Sequence, residues 1–179
     1  MQLIWDFGIG LREYAARVQQ VVFPLLLDCP VCGAGVRLHR HGFYFRNVLA
    51  RAAEYRVAIA RYVCRSCHRT VSLLPSFLMP RFQIARNVIL ESLTASFSKR
   101  KPQPYRQMAY YYRKRFARNL NAIVAALRDV GYRERLPDDN NERAIKVVDW
   151  LKTVTPPDSP VWNGHFSIRV LSNFMALSL

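Results

Sequence analysis

Two pairs of cysteines constrain the fold of this 179-residue chain more than any other feature of its sequence. Each pair has the spacing C-x2-C, and 31 residues separate the first pair from the second. A turn of this kind directs two thiolates at one point, and two such turns complete a tetrahedral four-sulfur site. We therefore predict one structural Zn²⁺ ion, bound by Cys29, Cys32, Cys64 and Cys67.

A closed set of four thiolates leaves no open coordination position, so the predicted site stabilises the fold and does not catalyse. The competing interpretation, a thioredoxin-like redox site, needs one C-x2-C pair beside a βαβ unit, and the duplicated pair does not fit it. Three nearby histidines, His39, His41 and His68, could replace a cysteine, but we assign them to phosphate contact, packing or the surface. His68 follows the second pair where Gly33 follows the first, which predicts some strain in that turn.

The residues between the two pairs alternate between apolar and polar, as strands do. The pattern runs over residues 36–41 and 55–63, and Gly42 leads from the first stretch into an aromatic run. Seven arginines and one glutamate lie between the first and last cysteines, whereas an ordinary solvated sheet face mixes lysine and glutamate with arginine. We predict a small antiparallel four-cysteine zinc ribbon over residues 24–83, with arginines that contact phosphates.

The net charge of +15 is concentrated in one part of the chain. Residues 29–118 contain eighteen basic and two acidic residues, a net charge of +16, whereas the residues before and after them sum to −1 and zero. Arginine supplies 22 of the 27 basic side chains, and its planar guanidinium suits phosphate groups. This local excess predicts a polyanionic partner, which we expect to be duplex DNA.

The cysteine-rich region resembles the zinc ribbons of bacterial transposases and of small transposase-like proteins. The shared features are C-P-x-C-G at residues 29–33, H-G-x-Y-x-R at 41–46 and R-x-x-C-x-x-C-x-x-T-x-S at 61–72, within a similarity that covers about residues 24–90. The resemblance implies DNA binding at the ends of mobile elements or at related sites. The chain departs from the pattern at Val71, where Phe is common, and at His68, where Gly is frequent.

Helical periodicity follows the predicted ribbon. Apolar residues recur at helical spacing over residues 84–98, and a second stripe follows a basic, proline-containing turn and continues to Leu127, with Gly131 as its C-cap. Two helices joined by a basic turn suit a helix-turn-helix, and an ordinary amphipathic hairpin is the alternative. Asp139 predicts the N-cap of a further helix that runs through Leu151.

These patterns predict an α+β chain in four segments. An N-terminal amphipathic helix occupies residues 1–23, the zinc ribbon 24–83, a basic helical region 84–155, and a proline linker with an apolar tail 156–179. We expect the tail to pack on the helices or to bind a protein partner, including a second copy of the chain. No run of 18 apolar residues and no secretory signal pattern occurs, so we expect a cytoplasmic, nucleoid-associated protein without membrane contact.

We expect no enzymatic activity. A transposase domain of the RNase-H type brings three acidic residues together on two metal ions and needs well over about 100 residues, whereas 61 residues follow Arg118. The predicted function is zinc-dependent DNA binding without catalysis. The residues expected to contact nucleic acid are Arg37, Arg40, Arg46, Arg61, Arg65, Arg69, Arg100, Arg106, Arg113, Lys114 and Arg118.

Two alternatives stay open at this point. The first is an RNA-binding or ribosome-associated zinc ribbon, since basic ribbons with exposed aromatic residues also bind RNA. The second is an accessory subunit whose apolar tail and N-terminal helix dock onto a larger recombinase or nuclease.

Overall fold

The computed structural model describes residues 1–17, 20–33, 35–98, 106–129 and 131–153, which form an α+β fold. The described residues divide into two compact units, residues 1–85 and residues 86–153. The elements are β1 (Gln2–Trp5), α1 (Leu11–Ala16), β2 (His39–Leu49), β3 (Glu54–Val63), β4 (Thr70–Pro75), α2 (Arg86–Phe97), α3 (Arg106–Asp129) and α4 (Asn140–Thr153). The apolar tail at 156–179 lies outside the described residues, as does the basic turn before α3.

One four-stranded sheet with the order β1-β4-β3-β2 organises the first unit. Strands β2, β3 and β4 pair antiparallel, as predicted for this region, and β1 adds to β4 in parallel. The parallel strand was not predicted, because the four residues Gln2–Trp5 are too few to display a period. Its two central residues, Leu3 and Ile4, are both buried, one on each face of the sheet.

The N-terminal helix is much shorter than the predicted one. Residues 1–23 were expected to form one amphipathic helix, but α1 covers six residues and ends at Ala16. Val22, which lies within the predicted helix, is 87% exposed and therefore does not extend a buried helical face. Residues 1–23 therefore contain the strand β1 and the short helix α1 in place of the one helix that was predicted.

Tyr14 attaches α1 to the sheet. Its side chain is completely buried, and its hydroxyl donates a 2.8 Å hydrogen bond to the Ala58 carbonyl of β3. The rings of Phe7 and Phe77 pack edge-on against it at centroid distances of 5.2 and 5.4 Å. Burial raises the pKa of Tyr14 far above its ordinary value, so the hydroxyl remains a donor.

The second unit packs α2 against both α3 and α4. The predicted apolar stripe of α3 is confirmed, since residues from Ala109 to Leu127 on that stripe are buried. Gly131 follows the helix as the predicted C-cap, since it has a φ of +102° and donates its N–H to the Arg128 carbonyl. Asp139 caps α4 as predicted, because its Oδ1 accepts the first N–H groups of that helix at 2.9 Å.

Arginines also complete helix ends in this unit. Arg86 is 9% exposed, and its guanidinium donates to the Leu151 carbonyl in the last turn of α4. Arg133 donates to the Arg128 carbonyl at the end of α3. The last carbonyls of a helix have no partner within it. Arg86 therefore supplies a donor at the end of α4, and Arg133 adds a second donor to the Arg128 carbonyl, which also accepts the Gly131 N–H. No helix in the described ranges combines the length and apolarity needed to cross a bilayer.

Tyr14→Phe tests the attachment of α1. We expect the free energy of unfolding of the first unit to fall by about 1 kcal/mol, because a buried carbonyl loses its donor while the packing is kept. Chemical denaturation monitored by circular dichroism measures the change. Tyr110→Phe is the matched control, since Tyr110 is 69% exposed; an equal effect of both substitutions would contradict this assignment.

Candidate metal centre

The four cysteine sulfurs converge at one point of the first unit. All four lie within 4.8 Å of one another, and the distances across the two turns are 3.8 Å from Cys29 to Cys67 and 3.9 Å from Cys32 to Cys64. Four sulfurs at about 2.3 Å from a central metal ion would lie about 3.8 Å apart in a regular tetrahedron. The cluster therefore has the ligand number, ligand type and size of a site for one metal ion.

Strand pairing explains why the two cysteine pairs meet. Cys64 and Cys67 lie in the turn that joins β3 to β4, and the Cys64 N–H donates to the Arg69 carbonyl across that turn at 3.1 Å. The first pair precedes β2, whose first residue, His39, is paired with Val63 at the end of β3. The register thus places both turns at the same end of the sheet.

The two turns have the same backbone geometry. Gly33 donates its N–H to the Cys29 carbonyl, and His68 donates to the Cys64 carbonyl, both at 2.9 Å. Gly33 has a φ of +66° and His68 a φ of +56°, so both residues are left-handed. The strain predicted at His68 is confirmed, because a residue with a Cβ pays roughly 1–2 kcal/mol for this conformation.

The cluster has a buried side and an exposed side. Cys29 and Cys64 are 1% and 0% exposed and belong to the hydrophobic cluster that includes Leu26, Leu38 and Tyr62. Cys32 is exposed and Cys67 is half-buried. A metal ion bound between them would join the core of the sheet to the outer turns.

The backbone favours the ionised form of Cys64. The N–H of Cys67, and to a smaller extent that of Ser66, donates to the Cys64 sulfur and lowers the pKa of the thiol to about 6, although desolvation opposes the shift. The thiolate is the form that binds metal ions. Soft thiolates in a tetrahedral set of four suit zinc or iron. Among the described residues, no histidine or carboxylate joins the four cysteines.

The predicted nucleic-acid contacts divide into two groups. Eight of the eleven are exposed, five in the first unit and three on α3, and Arg100 lies outside the described residues. Arg46 and Arg113, in contrast, are half-buried and hold neighbouring groups. The exposed residues are Arg37, Arg40, Arg61, Arg65, Arg69, Arg106, Lys114 and Arg118.

Arg46 and Arg113 contact their own units. The Arg46 guanidinium donates to the Met79 carbonyl at 3.2 Å, and burial lowers its pKa. Arg113 donates to the Asn141 side chain at 3.3 Å, and its guanidinium carbon lies 5.3 Å from the centre of the Phe97 ring. These contacts connect segments far apart in the sequence, so charge patterning could not reveal them.

Sequence reasoning missed a set of arginine–aromatic contacts on the β2–β3 hairpin. The guanidinium carbon of Arg56 lies 4.4 Å from the Phe45 ring centre, and that of Arg40 lies 4.3 Å from the Phe43 ring centre. Phe43 and Phe45 alternate along β2, and this alternation was the available signal. Arg56 was not among the predicted contacts.

Comparisons with known proteins give one partial match. A family model described as a domain of unknown function, DUF6431, matches residues 29–110. The matched range contains all four cysteines and ends in the first turns of α3. No curated protein and no solved structure matches the chain.

Cys64→Ser removes a completely buried ligand of the cluster. We expect the variant to lose its stoichiometric metal ion and the first unit to melt at a lower temperature, because structural metal binding contributes on the order of 10–16 kcal/mol to folding. Metal content and a melting curve measure both effects. Ser66→Ala, on the same turn, is the matched control; metal content equal in the two variants would rule out this site.

Two substitutions at His68 separate a turn residue from a metal ligand. We expect His68→Gly to keep the metal ion, because glycine adopts the left-handed conformation freely. His68→Val should lower stability by about 1–2 kcal/mol, because a β-branched residue resists a φ of +56°. Metal titration and denaturation of both variants measure these effects, and loss of metal in His68→Gly would instead assign His68 as a ligand.

Proposed function

We propose that this protein binds duplex DNA without catalysing a reaction, through cations held on a zinc ribbon and on helix α3. The observation that carries the proposal is that eight predicted contacts, together with Arg51, Arg56 and Arg81, are exposed within residues 29–118, a range with two acidic residues. Neutralising phosphates releases condensed counterions, which drives association with any sufficiently basic surface of the right shape.

Zinc is the ion we propose for the four-cysteine cluster. The sulfur distances fit a tetrahedral site, and a closed set of four thiolates is typical of structural zinc. The ion would supply folding energy and leave no coordination position for a substrate. The resemblance of residues 24–90 to transposase-type zinc ribbons supports the same assignment.

The turn region of the first unit supports contact with phosphates. Arg65 lies on the second cysteine turn and Arg69 directly follows it, and both are exposed. The acidic residue of β3, Glu54, starts that strand and therefore lies at the opposite end of the sheet from the cysteines. Asp28, next to Cys29, is the one acidic residue beside the first turn in sequence.

Helix α3 provides the second basic surface. It contains no acidic residue before Asp129, its last residue. Arg106, Tyr110, Lys114 and Arg118 recur every fourth position and are all exposed, so they form one stripe opposite the buried face. We propose that α2 and α3 act as a helix-turn-helix whose second helix places this stripe in a major groove.

The acidic residues of the second unit support a non-enzymatic function. Asp139 caps α4, Glu134 pairs with Lys146 at 2.7 Å, and Asp149 pairs with Lys152 at 2.7 Å. These carboxylates therefore have structural or surface roles in the described part of the chain. We propose that none of them forms a catalytic metal site.

A salt titration tests duplex binding. With six to eight phosphates neutralised, we expect the affinity for a duplex to fall about a thousandfold or more between roughly 50 and 200 mM salt. Fluorescence anisotropy with a labelled duplex measures the affinity at each salt concentration, and hence the slope of log affinity against log salt concentration. An affinity that does not change with salt, or no binding at low salt, would contradict the proposal.

Matched arginine variants locate the contacts. Arg65→Ala and Arg118→Ala should each reduce the magnitude of the slope of log affinity against log salt concentration by about one. The melting temperature should stay unchanged. Arg46→Ala and Arg113→Ala should lower the melting temperature, because their guanidiniums hold groups within their own units. Equal slopes in the wild type, Arg65→Ala and Arg118→Ala would contradict these assignments.

A further inference from the structure

Strand β2 carries two aromatic side chains that are exposed to solvent. It is an edge strand of the sheet, and Phe43 and Phe45 are 44% and 56% exposed. Because they are two positions apart, both side chains lie on the same face of the strand, and their Cα atoms are about 6.6–6.8 Å apart. Large exposed apolar side chains that adjoin one another are uncommon on a soluble surface without a partner.

A cation lies over each of these rings. The Arg40 guanidinium carbon is 4.3 Å from the Phe43 ring centre, and the Arg56 guanidinium carbon is 4.4 Å from the Phe45 ring centre. Arg56 reaches Phe45 diagonally, since the register pairs Arg56 with Asn47 and Phe45 with Ala58. We call these four residues, Arg40, Phe43, Phe45 and Arg56, the aromatic–arginine shelf.

The fold holds the shelf in place. Phe43 packs edge-on against Phe23 at a centroid distance of 5.1 Å, so its ring has a fixed orientation. The strand register shifts between Arg40 and Phe43, where Gly42 has a φ of +102°, and this bulge brings the Arg40 side chain over the rings of Phe43 and Phe23. The site is therefore largely formed before any ligand arrives.

One end of the shelf borders an open cleft on the surface of the first unit. Phe45 and Arg56 line this cleft of about 720 Å³, together with Asn47, Arg81 and Gln83. The amide side chains can donate to and accept from the edge of a planar heterocycle, and the guanidiniums can bind a phosphate.

We propose that the aromatic–arginine shelf binds unpaired bases of single-stranded nucleic acid by stacking, with Arg40 and Arg56 contacting the flanking phosphates. This inference rests on the proposed nucleic-acid binding but names a separate ligand class for β2. Bases inside a duplex already stack on one another, so their faces are unavailable to Phe43 and Phe45.

Single strands of equal length and charge, with and without bases, test this inference, and a duplex is titrated beside them. The full chain is titrated at low salt with labelled dT12, with U12, with an abasic strand of equal length and with a twelve-base-pair duplex, using fluorescence anisotropy. We expect dT12 or U12 to bind at least about tenfold more tightly than the abasic strand. The comparison of dT12 with U12 identifies which of the two single strands the shelf prefers.

Variants of Phe45 assign the binding to the shelf. Phe45→Leu keeps an apolar side chain without a π face, and it should weaken binding of the preferred strand about tenfold while changing abasic and duplex binding less than twofold. Phe45→Trp keeps a π face and should bind the preferred strand as the wild type does. The fluorescence of the introduced tryptophan should be quenched by that strand but not by the abasic one. Leu27→Ala is the control, because Leu27 is 62% exposed in the same unit. Metal content and melting temperature verify folding.

Each outcome decides the inference. Equal affinity of the wild type for base-containing and abasic strands would overturn base stacking, while salt-dependent duplex binding would leave the proposed function intact. A tenfold loss in Phe45→Leu together with no duplex binding would support the shelf and remove duplex DNA as the partner. If Phe45→Leu binds every ligand as tightly as the wild type does, the shelf is not the binding site. If the wild type binds none of the four ligands, both proposals are overturned.

Discussion

The convergence of four cysteine sulfurs is the interaction on which the first unit depends. Thiolates this close repel one another unless a cation lies between them, and two of the four are buried in the hydrophobic cluster of the sheet. The strand register and a bound metal ion would therefore stabilise each other. The pairing of His39 with Val63 brings the turns together, and a bound ion would hold those strand ends in place.

The arginines of this chain perform two physically different tasks. Some bind carbonyl or amide oxygens of their own unit, as Arg46, Arg86 and Arg113 do. Others, such as Arg65 and Arg118, are exposed to solvent. The guanidinium suits both tasks because it carries five donors in a plane and stays charged when partly buried. The net charge of +15 therefore overstates the charge that is available to a partner.

The two units present their cations in different chemical settings. On α3 the exposed stripe combines basic residues with Tyr110, on a rigid helix whose opposite face is buried. On β2 the cations lie over phenylalanine rings at the edge of a sheet. A helix stripe matches a groove between phosphate backbones, whereas flat rings match the faces of unpaired bases. The two proposals therefore assign different parts of a nucleic-acid ligand to different units.

Local spacing in the sequence was enough to identify the four cysteines as candidate ligands, Asp139 as the N-cap of α4 and Gly131 as the C-cap of α3. These features depend on residues a few positions apart. Tertiary structure decided the rest. The parallel pairing of β1 with β4 joins residues about 70 positions apart, and four residues carry no readable period. The exposure of each arginine, like the position of Arg56 over Phe45, depends on strand register and helix packing, which bring together atoms that the sequence keeps far apart.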